Sequence, residues 1–552
     1  MAQPTRFTQQ MIDEYVAQGY WDRETLADLC DRNAREHPHR EAFADSKARL
    51  TWSELKQLSD RAALGLLELD IKKDEVIAVQ LPNWVENVIL RIALLKAGIL
   101  SLFPPMTWRH AEMEHALKSL DGVGVVIPYR FRRVDYFQMI QDIRPRLPSL
   151  RHIFVVGDEV PRGAISFTEL CQRPGEGKHP ADYLRNTQFD PFEVTNIMPT
   201  SGTTGVPKFC EHSQVAHQLI ARTLVERARI TQDDVVGAIG PLSGGAALFG
   251  FICPTLVAGK GALLDWFDAE EALKLIERER VTVAIVVPAQ LIGILRHPDL
   301  DKYDLSSLRV VRAGGAATPP NIAAEAEERM GCKFLPGAGS MDALSISQSY
   351  VDDPPEVRYA TAGRPSIGNQ VRLVDGQGKE VARGEVGEIR VRGACTASGY
   401  YRDAEATKEA WGELGEGGWW RSGDLGRFDD LGNIIFAGRR KDMIIRGAQN
   451  IYPMEIENLL FTHPKVSQVA IVGMPDPLMG ERACAYVVPK PGQEFSFDEM
   501  VSFLRGKNIA PYKLPERLEI VDRMPAAGDV AKVDKKELAR DIAQKLKAEG
   551  KV

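Results

Sequence analysis

Much is missing from these 552 residues, and each absence narrows what the chain can do. The seven cysteines (30, 171, 210, 253, 332, 395 and 484) are scattered, and none forms a Cys-x-x-Cys pair. That excludes a disulfide framework and a paired-cysteine metal centre, and predicts free thiols in a reducing compartment. No long block carries one sign of charge: 69 basic and 76 acidic residues leave a formal charge of −7. Nucleic acid is therefore not expected as the main partner. The lysine-rich last twenty residues have acidic residues interleaved, as on a solvated helix. Met1-Ala2-Gln3-Pro4-Thr5-Arg6 has no apolar core, so export is not expected. The uncharged run 235–259 is long enough to span a bilayer, but it holds six glycines together with Pro241 and Pro254. Breakers at that density predict a strand, a glycine-rich bend and a short buried helix rather than a membrane span. A Gly-x-Ser-x-Gly elbow and a His-Glu-x-x-His motif are both lacking, which argues against a serine hydrolase and a zinc protease. There is no internal repeat and no low-complexity tract.

What is present alternates. Helical periodicity covers 10–45 around Gly19-Tyr20-Trp21, and strands are predicted at Glu75–Leu81, Val123–Ile127 and Ile153–Val156, with a helix over Val85–Leu95. A second round has a helix near Gln218–Arg229 and strands at Val281–Val287 and Leu308–Arg312. Such alternation implies βαβ units and parallel sheets covered on both faces. From Val371 to Gly438 the strands shorten and turns multiply, which suggests a barrel-like subdomain. Gly438-Arg439-Arg440-Lys441-Asp442 then places four charged residues after a glycine, before a new α/β pattern with strands near Val466–Val472 and Ala483–Val488 and a helix near Phe497–Arg505. The expected architecture is α/β. A large N-terminal domain (1–441) holds two doubly wound sheets and the barrel-like part. A small mobile α+β domain (442–552) turns on a hinge near Asp442.

The most informative stretch is Thr200-Ser201-Gly202-Thr203-Thr204-Gly205-Val206-Pro207-Lys208. Glycines let successive backbone N–H groups turn toward an anion, hydroxyls add donors, and the lysine adds a point charge suited to phosphate. It is not a Walker loop, because Pro207 separates Gly205 from Lys208 and the lysine does not enter a helix. By composition alone a flexible surface loop is the favoured reading, but the full string is far more specific than its composition.

With Gly19-Tyr20-Trp21, Gly314-Gly315-Ala316, Ser422-Gly423-Asp424-Leu425, the 438–442 joint and Lys513-Leu514-Pro515 in order behind it, the chain resembles the adenylate-forming ligases over nearly its whole length. The branch it is most similar to is the aryl-acid one, typified by 2,3-dihydroxybenzoate–AMP ligases. The resemblance implies that Thr200–Gly205 and Lys208 hold ATP phosphates. It places Gly314, Gly315 and Ala316 against adenine and the acyl pocket, with Gly337, Ala338, Gly339 and Ser340 as a second nucleotide loop. Asp424 in a turn would accept the ribose hydroxyls, Arg439 would hold the ribose or phosphate side, and Phe436 would flank the nucleoside. Asp342 stands where the family carries a magnesium-binding glutamate, one methylene shorter in reach. Lys532 is the expected catalytic lysine, although Ala531 replaces the usual glycine and Lys535 and Lys536 lie close by. Arg446 and Gly447 would shape a thiol tunnel. The acid pocket departs most: family His-Asn and Ser positions fall on Gly244, Gly245 and Gly250, with Phe249 and Gly315 also lining it. Loss of three side chains predicts room for a bulkier or less hydroxylated aromatic acid.

The implied activity takes an aromatic carboxylate and ATP·Mg²⁺ to an acyl-adenylate, then to a thioester of coenzyme A or of a carrier-protein phosphopantetheine. A small aryl carboxylic acid and an acyl or aryl carrier protein are thus the expected partners, without nucleic acid or membrane. The chain is expected in the cytoplasm as a monomer or homodimer. A nucleotide-gated binding module without chemistry is the alternative from another class.

Overall fold

A computed structural model describes residues 6–175, 177–180, 182–200, 207–245, 248–412, 418–447, 449–527 and 532–551, with backbone alone at 526, 527 and 532. Two large sheets dominate. The eight-stranded sheet runs in the order Gly399–Tyr400, Phe209–Ser213, Val194–Pro199, Leu100–Leu102, Val76–Val79, Gly124–Pro128, His152–Val156 and Ile165–Ser166. The nine-stranded sheet is centred on Lys333–Ser340, Val310–Ala313, Val283–Val286, Val235–Ala238 and Lys260–Leu263, which pair in parallel, with antiparallel strands at its edges. Central strands such as Val76–Val79 and Val283–Val286 are apolar runs buried throughout, because helices cover both faces. Helix starts are set locally: Thr25 with Asp28 and Thr51 with Glu54 form capping boxes that satisfy otherwise orphaned N–H groups.

The expected elements are present with shifted ends: a helix over Val85–Ala97, another over Gln214–Arg227 and a strand at His152–Val156. The uncharged run 235–259 becomes strand Val235–Ala238 and buried helix Phe249–Val257, and among the described residues no helix is long and apolar enough to cross a membrane. The helical pattern of 10–45 overreaches. Helices Gln9–Ala17 and Leu26–Glu36 give way to strand Glu41–Ala44, whose apolar Ala-Phe-Ala pairs with Lys260–Leu263. Gly337–Ser340, expected as a loop, is the end of strand Lys333–Ser340, and Asp424, expected in a turn, lies within strand Trp420–Phe428. Asn369–Val374, Gly387–Gly393, Trp420–Phe428 and Ile434–Arg439 form a four-stranded antiparallel sheet in place of the barrel-like part.

The small C-terminal part is built on a sheet of Gln449–Ile451, Ile444–Arg446, Gly480–Pro489, Val466–Asp476 and Arg517–Ile520. Three buried apolar clusters occupy the large part, and the last residue in any of them is Phe436. Two more occupy the small part, starting at Ile444. Among the described residues no apolar cluster crosses the charged joint, so burial ties the two parts together weakly there.

Candidate active site

The phosphate-loop stretch connects two antiparallel strands, Val194–Pro199 and Phe209–Ser213, paired up to Pro199 and Phe209. Its base is closed from both sides: Thr200 N donates to Lys208 O at 2.8 Å, and Lys208 N donates to Thr200 Oγ1 at 3.1 Å. Ser201, Gly202, Thr203, Thr204 and Gly205 lie outside the described residues. Lys208 Nζ stands 4.8 Å over the ring of Tyr400, a favourable cation–π placement. Tyr400 Oη in turn donates to Asp342 Oδ1 at 2.5 Å, and Cys210 Sγ donates to the same oxygen at 3.7 Å.

Asp342 sits in the turn after Ser340, whose Oγ accepts from Asp342 N at 3.2 Å and Ala343 N at 3.0 Å. Burial lifts its carboxyl above the usual range, opposed by the Tyr400 hydrogen bond and by the charge of Lys208. Burial and the Asp342 charge push the Tyr400 hydroxyl upward, so it remains a donor. Met341, next to Asp342, reaches the Gly244–Gly245 segment. A Cβ on Gly245 would lie 3.6 Å from Met341 Sδ, and one on Gly244 would meet only Pro241 O, at 3.4 Å. Phe436, Ala338, Met341, Tyr400 and Cys210 share one apolar cluster. Gly245, Met341, Asp342, Tyr400, Lys208 and Thr200 thus form one continuous path of neighbours.

Gly250 needs a correction. It is buried in helix Phe249–Val257, and a Cβ there would fall 2.5 Å from Ala238 Cβ and 3.0 Å from Ala238 Cα. The missing side chain is filled by close helix–strand packing and gives the pocket no space. Gly314 also answers a packing requirement beside the nucleotide contact expected of it. Its absent Cβ makes room for Arg312, which would stand 2.3 Å away at Nη1, and Gly337 would meet Arg312 Nη2 at 2.7 Å. Arg312 is 3% exposed, donates from Nε to Gln348 Oε1 at 3.3 Å and lies 4.7 Å over the Phe249 ring. Burial lowers it to about 10. Gly315 at φ +91° and Ala316 stay exposed beyond it, and Gly315 retains the backbone freedom that a close ligand approach needs.

Two matches decide the family. The AMP-binding enzyme model matches residues 30–401, and the AMP-binding enzyme C-terminal domain model matches 455–529. The chain belongs to the adenylate-forming AMP-binding enzymes. Relatives include the 2-hydroxy-7-methoxy-5-methyl-1-naphthoate–CoA ligase of Streptomyces carzinostaticus, 31% identical over 95% of this chain and 94% of that one. The 2,3-dihydroxybenzoate–AMP ligase of Bacillus subtilis is 30% identical over 99% of this chain and 98% of its own. Among solved structures, the anthranilate CoA ligase AuaEII in complex with anthranoyl-AMP superposes with a TM-score of 0.86, covering 96% of this chain and 98% of that one at 23% identity, a likeness of fold.

In this ligase Asp424 pairs across strands with Arg439, whose Nε stands 3.2 Å from Asp424 Oδ1. Asp442 closes a short 3-10 turn, Arg440–Asp442, and Arg440 reaches back to Glu388 at 3.3 Å. Arg446 is held by Glu516 at 2.9 Å, while Gly447 (φ +63°) donates its N–H to Met479 O. Lys532 lies in the short strand Lys532–Val533 paired with Ala526–Ala527, and its side chain is outside what is described. Its competitor Lys535 is engaged elsewhere, 2.6 Å from Glu457. The residue chemistry suits a hard cation in one respect: Asp342 is a buried carboxylate whose Oδ1 accepts from Tyr400 and Cys210, and it would hold a cation that offsets its charge. Among the described residues no group of three or more His, Cys, Asp and Glu makes a metal site without such help.

Sequence reasoning missed Tyr400 and Arg312. Tyr400 carried a weak signal, a Gly-Tyr pair in an apolar stretch. Arg312 carried a stronger one, a lone charge in the buried run Val310-Val311-Arg312-Ala313 directly before a glycine pair.

Proposed function

We propose that this ligase activates an aromatic carboxylic acid larger or less hydroxylated than 2,3-dihydroxybenzoate and passes it to a pantetheine thiol in the cytoplasm, as a monomer or homodimer. In the first step a carboxylate oxygen attacks the α-phosphorus of ATP, the bond to pyrophosphate breaks, and an aryl-adenylate forms. In the second the thiol sulfur attacks the acyl carbon, AMP leaves with the bonding pair, and the thiol proton passes to solvent. Thr200, the 201–205 backbone and Lys208 would hold the phosphates, Asp342 would hold Mg²⁺, and Asp424 with Arg439 would face the ribose beside Phe436. Magnesium, when bound, supplies charge neutralisation on the phosphates. Lys532 would bridge the attacking carboxylate and the α-phosphate, offsetting the charge that develops as two anions meet. A turn about Asp442 would withdraw Lys532 and present Arg446 and Gly447 to the thiol, since one site cannot face both surfaces at once.

The observation that supports this reading is the path from Gly245 through Met341, Asp342 and Tyr400 to Lys208, which joins a glycine proposed for the acid side to the lysine proposed for phosphate. Only Gly244 and Gly245 now stand as sites of lost side chains, which supports a roomier pocket, and a naphthoate-activating relative fits that size class. ATP–pyrophosphate exchange with benzoates, hydroxybenzoates, naphthoates and medium-chain aliphatic acids tests it, followed by thioester formation with coenzyme A and with a phosphopantetheinylated carrier protein. The expected result is exchange strongest with a bicyclic or sparsely hydroxylated aryl acid. Highest kcat/KM for 2,3-dihydroxybenzoate or for an aliphatic acid would overturn the pocket reading. No exchange with any acid would leave the non-catalytic binding module.

A further inference from the structure

The bend that carries the acid-side glycines belongs to the nine-stranded sheet but is held by the other one. It leaves strand Val235–Ala238, turns at Gly240-Pro241-Leu242 and reaches Gly244 through a Gly244 N to Pro241 O bond of 2.9 Å. Gly240 N donates to Ile285 O at 3.2 Å. Three buried backbone groups of the bend then need partners from elsewhere. Asn83, on the link between strand Val76–Val79 and helix Val85–Ala97 of the eight-stranded sheet, supplies two of them. Its Nδ2 donates to Gly240 O at 2.8 Å, and its Oδ1 accepts from Leu242 N at 2.8 Å. The carboxamide thus spans Pro241 as a neighbouring peptide group would, where proline can offer no N–H of its own. Arg91, in the second turn of that helix, supplies the third by donating from Nη2 to Leu242 O at 2.9 Å.

Both clamps are fixed in their turn. Asn83 is 4% exposed and Arg91 is 8% exposed. Arg91 Nε donates to Asn87 Oδ1 at 3.0 Å, and its guanidinium lies 3.6 Å over the Phe103 ring. Arg91 has no carboxylate partner among the described residues, so its charge serves the bend's carbonyl rather than an ion pair.

We infer that Asn83 and Arg91 are positioning residues for acid selection: by fixing Gly240–Leu242 from the opposite sheet they set the distance between the Gly244–Gly245 segment and Met341, and so the ring size the site accepts. This rests on the acid-side assignment of Gly244 and Gly245 made above.

Asn83→Ala, Asn83→Gln and Arg91→Lys separate this from a merely structural role. For each variant, kcat/KM in ATP–pyrophosphate exchange is compared for benzoate and 2-naphthoate, because their ratio does not depend on the fraction of folded enzyme. The expected outcome for Asn83→Ala is an acid KM raised about tenfold and a naphthoate-to-benzoate ratio changed about threefold or more, with the KM for ATP nearly unchanged. Arg91→Lys, which keeps a charge and a donor, should lie between Asn83→Ala and the parent. An unchanged ratio and acid KM, or equal losses in the KM for acid and ATP, would overturn the inference. Hydrogen exchange of the 240–250 peptide is the second readout. It stands even if neither acid is a substrate, which would refute the acid assignment and not the clamp. Faster exchange in Asn83→Ala confined to that peptide supports the clamp, and unchanged exchange there overturns it.

Discussion

Lys208 stands at the base of one antiparallel strand pair and Lys532 within another, yet the two hairpins differ in what holds them. The Lys208 hairpin has strands Val194–Pro199 and Phe209–Ser213, whose residues are all buried, and it is flanked by Leu100–Leu102 on one side and Gly399–Tyr400 on the other. The Lys532 hairpin is a two-stranded pair of its own, Ala526–Ala527 against Lys532–Val533. The first is part of a sheet whose unfolding would take the large domain with it. The second belongs to the small part, and among the described residues no apolar cluster anchors that part across the joint. The contrast suits the roles proposed above for a ligase that binds ATP throughout but needs one charge for one half-reaction: a phosphate-binding Lys208 on a fixed sheet and a reacting Lys532 on the small part.

The largest expected effect breaks the movable side. Lys532→Ala should lower aryl-adenylate formation by roughly 3–4 kcal/mol of transition-state stabilisation, several hundredfold, because a preorganised charge is lost. Transfer of a synthetic aryl-adenylate to the thiol should stay near normal if, as proposed, the small part presents its other face in that step. Measuring both half-reactions decides it. Equal losses would make Lys532 a general support, and normal adenylation would point away from it, although the ion pair of Lys535 with Glu457 already makes Lys535 a poor substitute.

Next in size is the fixed side. Lys208→Ala should raise the KM for ATP and for pyrophosphate by about 1.5–3 kcal/mol, the range of hydrogen bonds to charged groups, in both directions of the exchange. Its melting temperature should scarcely change, because Lys208 is half-buried and its backbone already closes the loop with Thr200. An unchanged KM for ATP with unchanged kcat would remove Lys208 from phosphate binding.

The contrast also explains what could be read from the chain before folding. Sheets and helices of the large part were legible because buried parallel strands leave continuous apolar runs and helices leave period and caps, as at Val283–Val286 and Thr51. Motif order was legible, and it identified the family. Side-chain neighbours across long sequence separation were not: Asp342 with Tyr400, Arg312 with Gly337, and Asn83 with Leu242 depend on register between strands and between sheets. Glycine was the most ambiguous letter. Gly244, Gly245 and Gly250 look alike in the sequence, but only the first two have room for a Cβ.

That ambiguity gives the third prediction. Gly250→Ala should destabilise the large domain by about 1–3 kcal/mol, since the new methyl meets Ala238 Cβ and Cα, neither of which is a flexible chain end. Alanine's better helix propensity offsets at most about 1 kcal/mol of this. Gly244→Ala should change stability by about 0.5 kcal/mol or less. Thermal unfolding of the pair checks it, and equal melting temperatures would return Gly250 to the pocket.

Tyr400→Phe carries the smallest effect and probes the link inside the fixed side. The substitution keeps the ring beneath Lys208, so the cation–π contact survives, and it deletes only the hydroxyl that donates to Asp342. Asp342 would then keep the weak Cys210 donor on that oxygen. Losing one hydrogen bond to a partly buried carboxylate costs about 1–2 kcal/mol, but a freed oxygen could take water or a cation instead, so the net change should fall near 1 kcal/mol. If Tyr400 aims Asp342 at Mg²⁺, the cost appears as a several-fold rise in the Mg²⁺ concentration for half-maximal exchange, with the KM for the acid unchanged. A Mg²⁺ requirement identical to the parent, together with a lower melting temperature, would instead make the Tyr400–Asp342 bond a packing contact between the strand at Gly399–Tyr400 and the turn after Ser340.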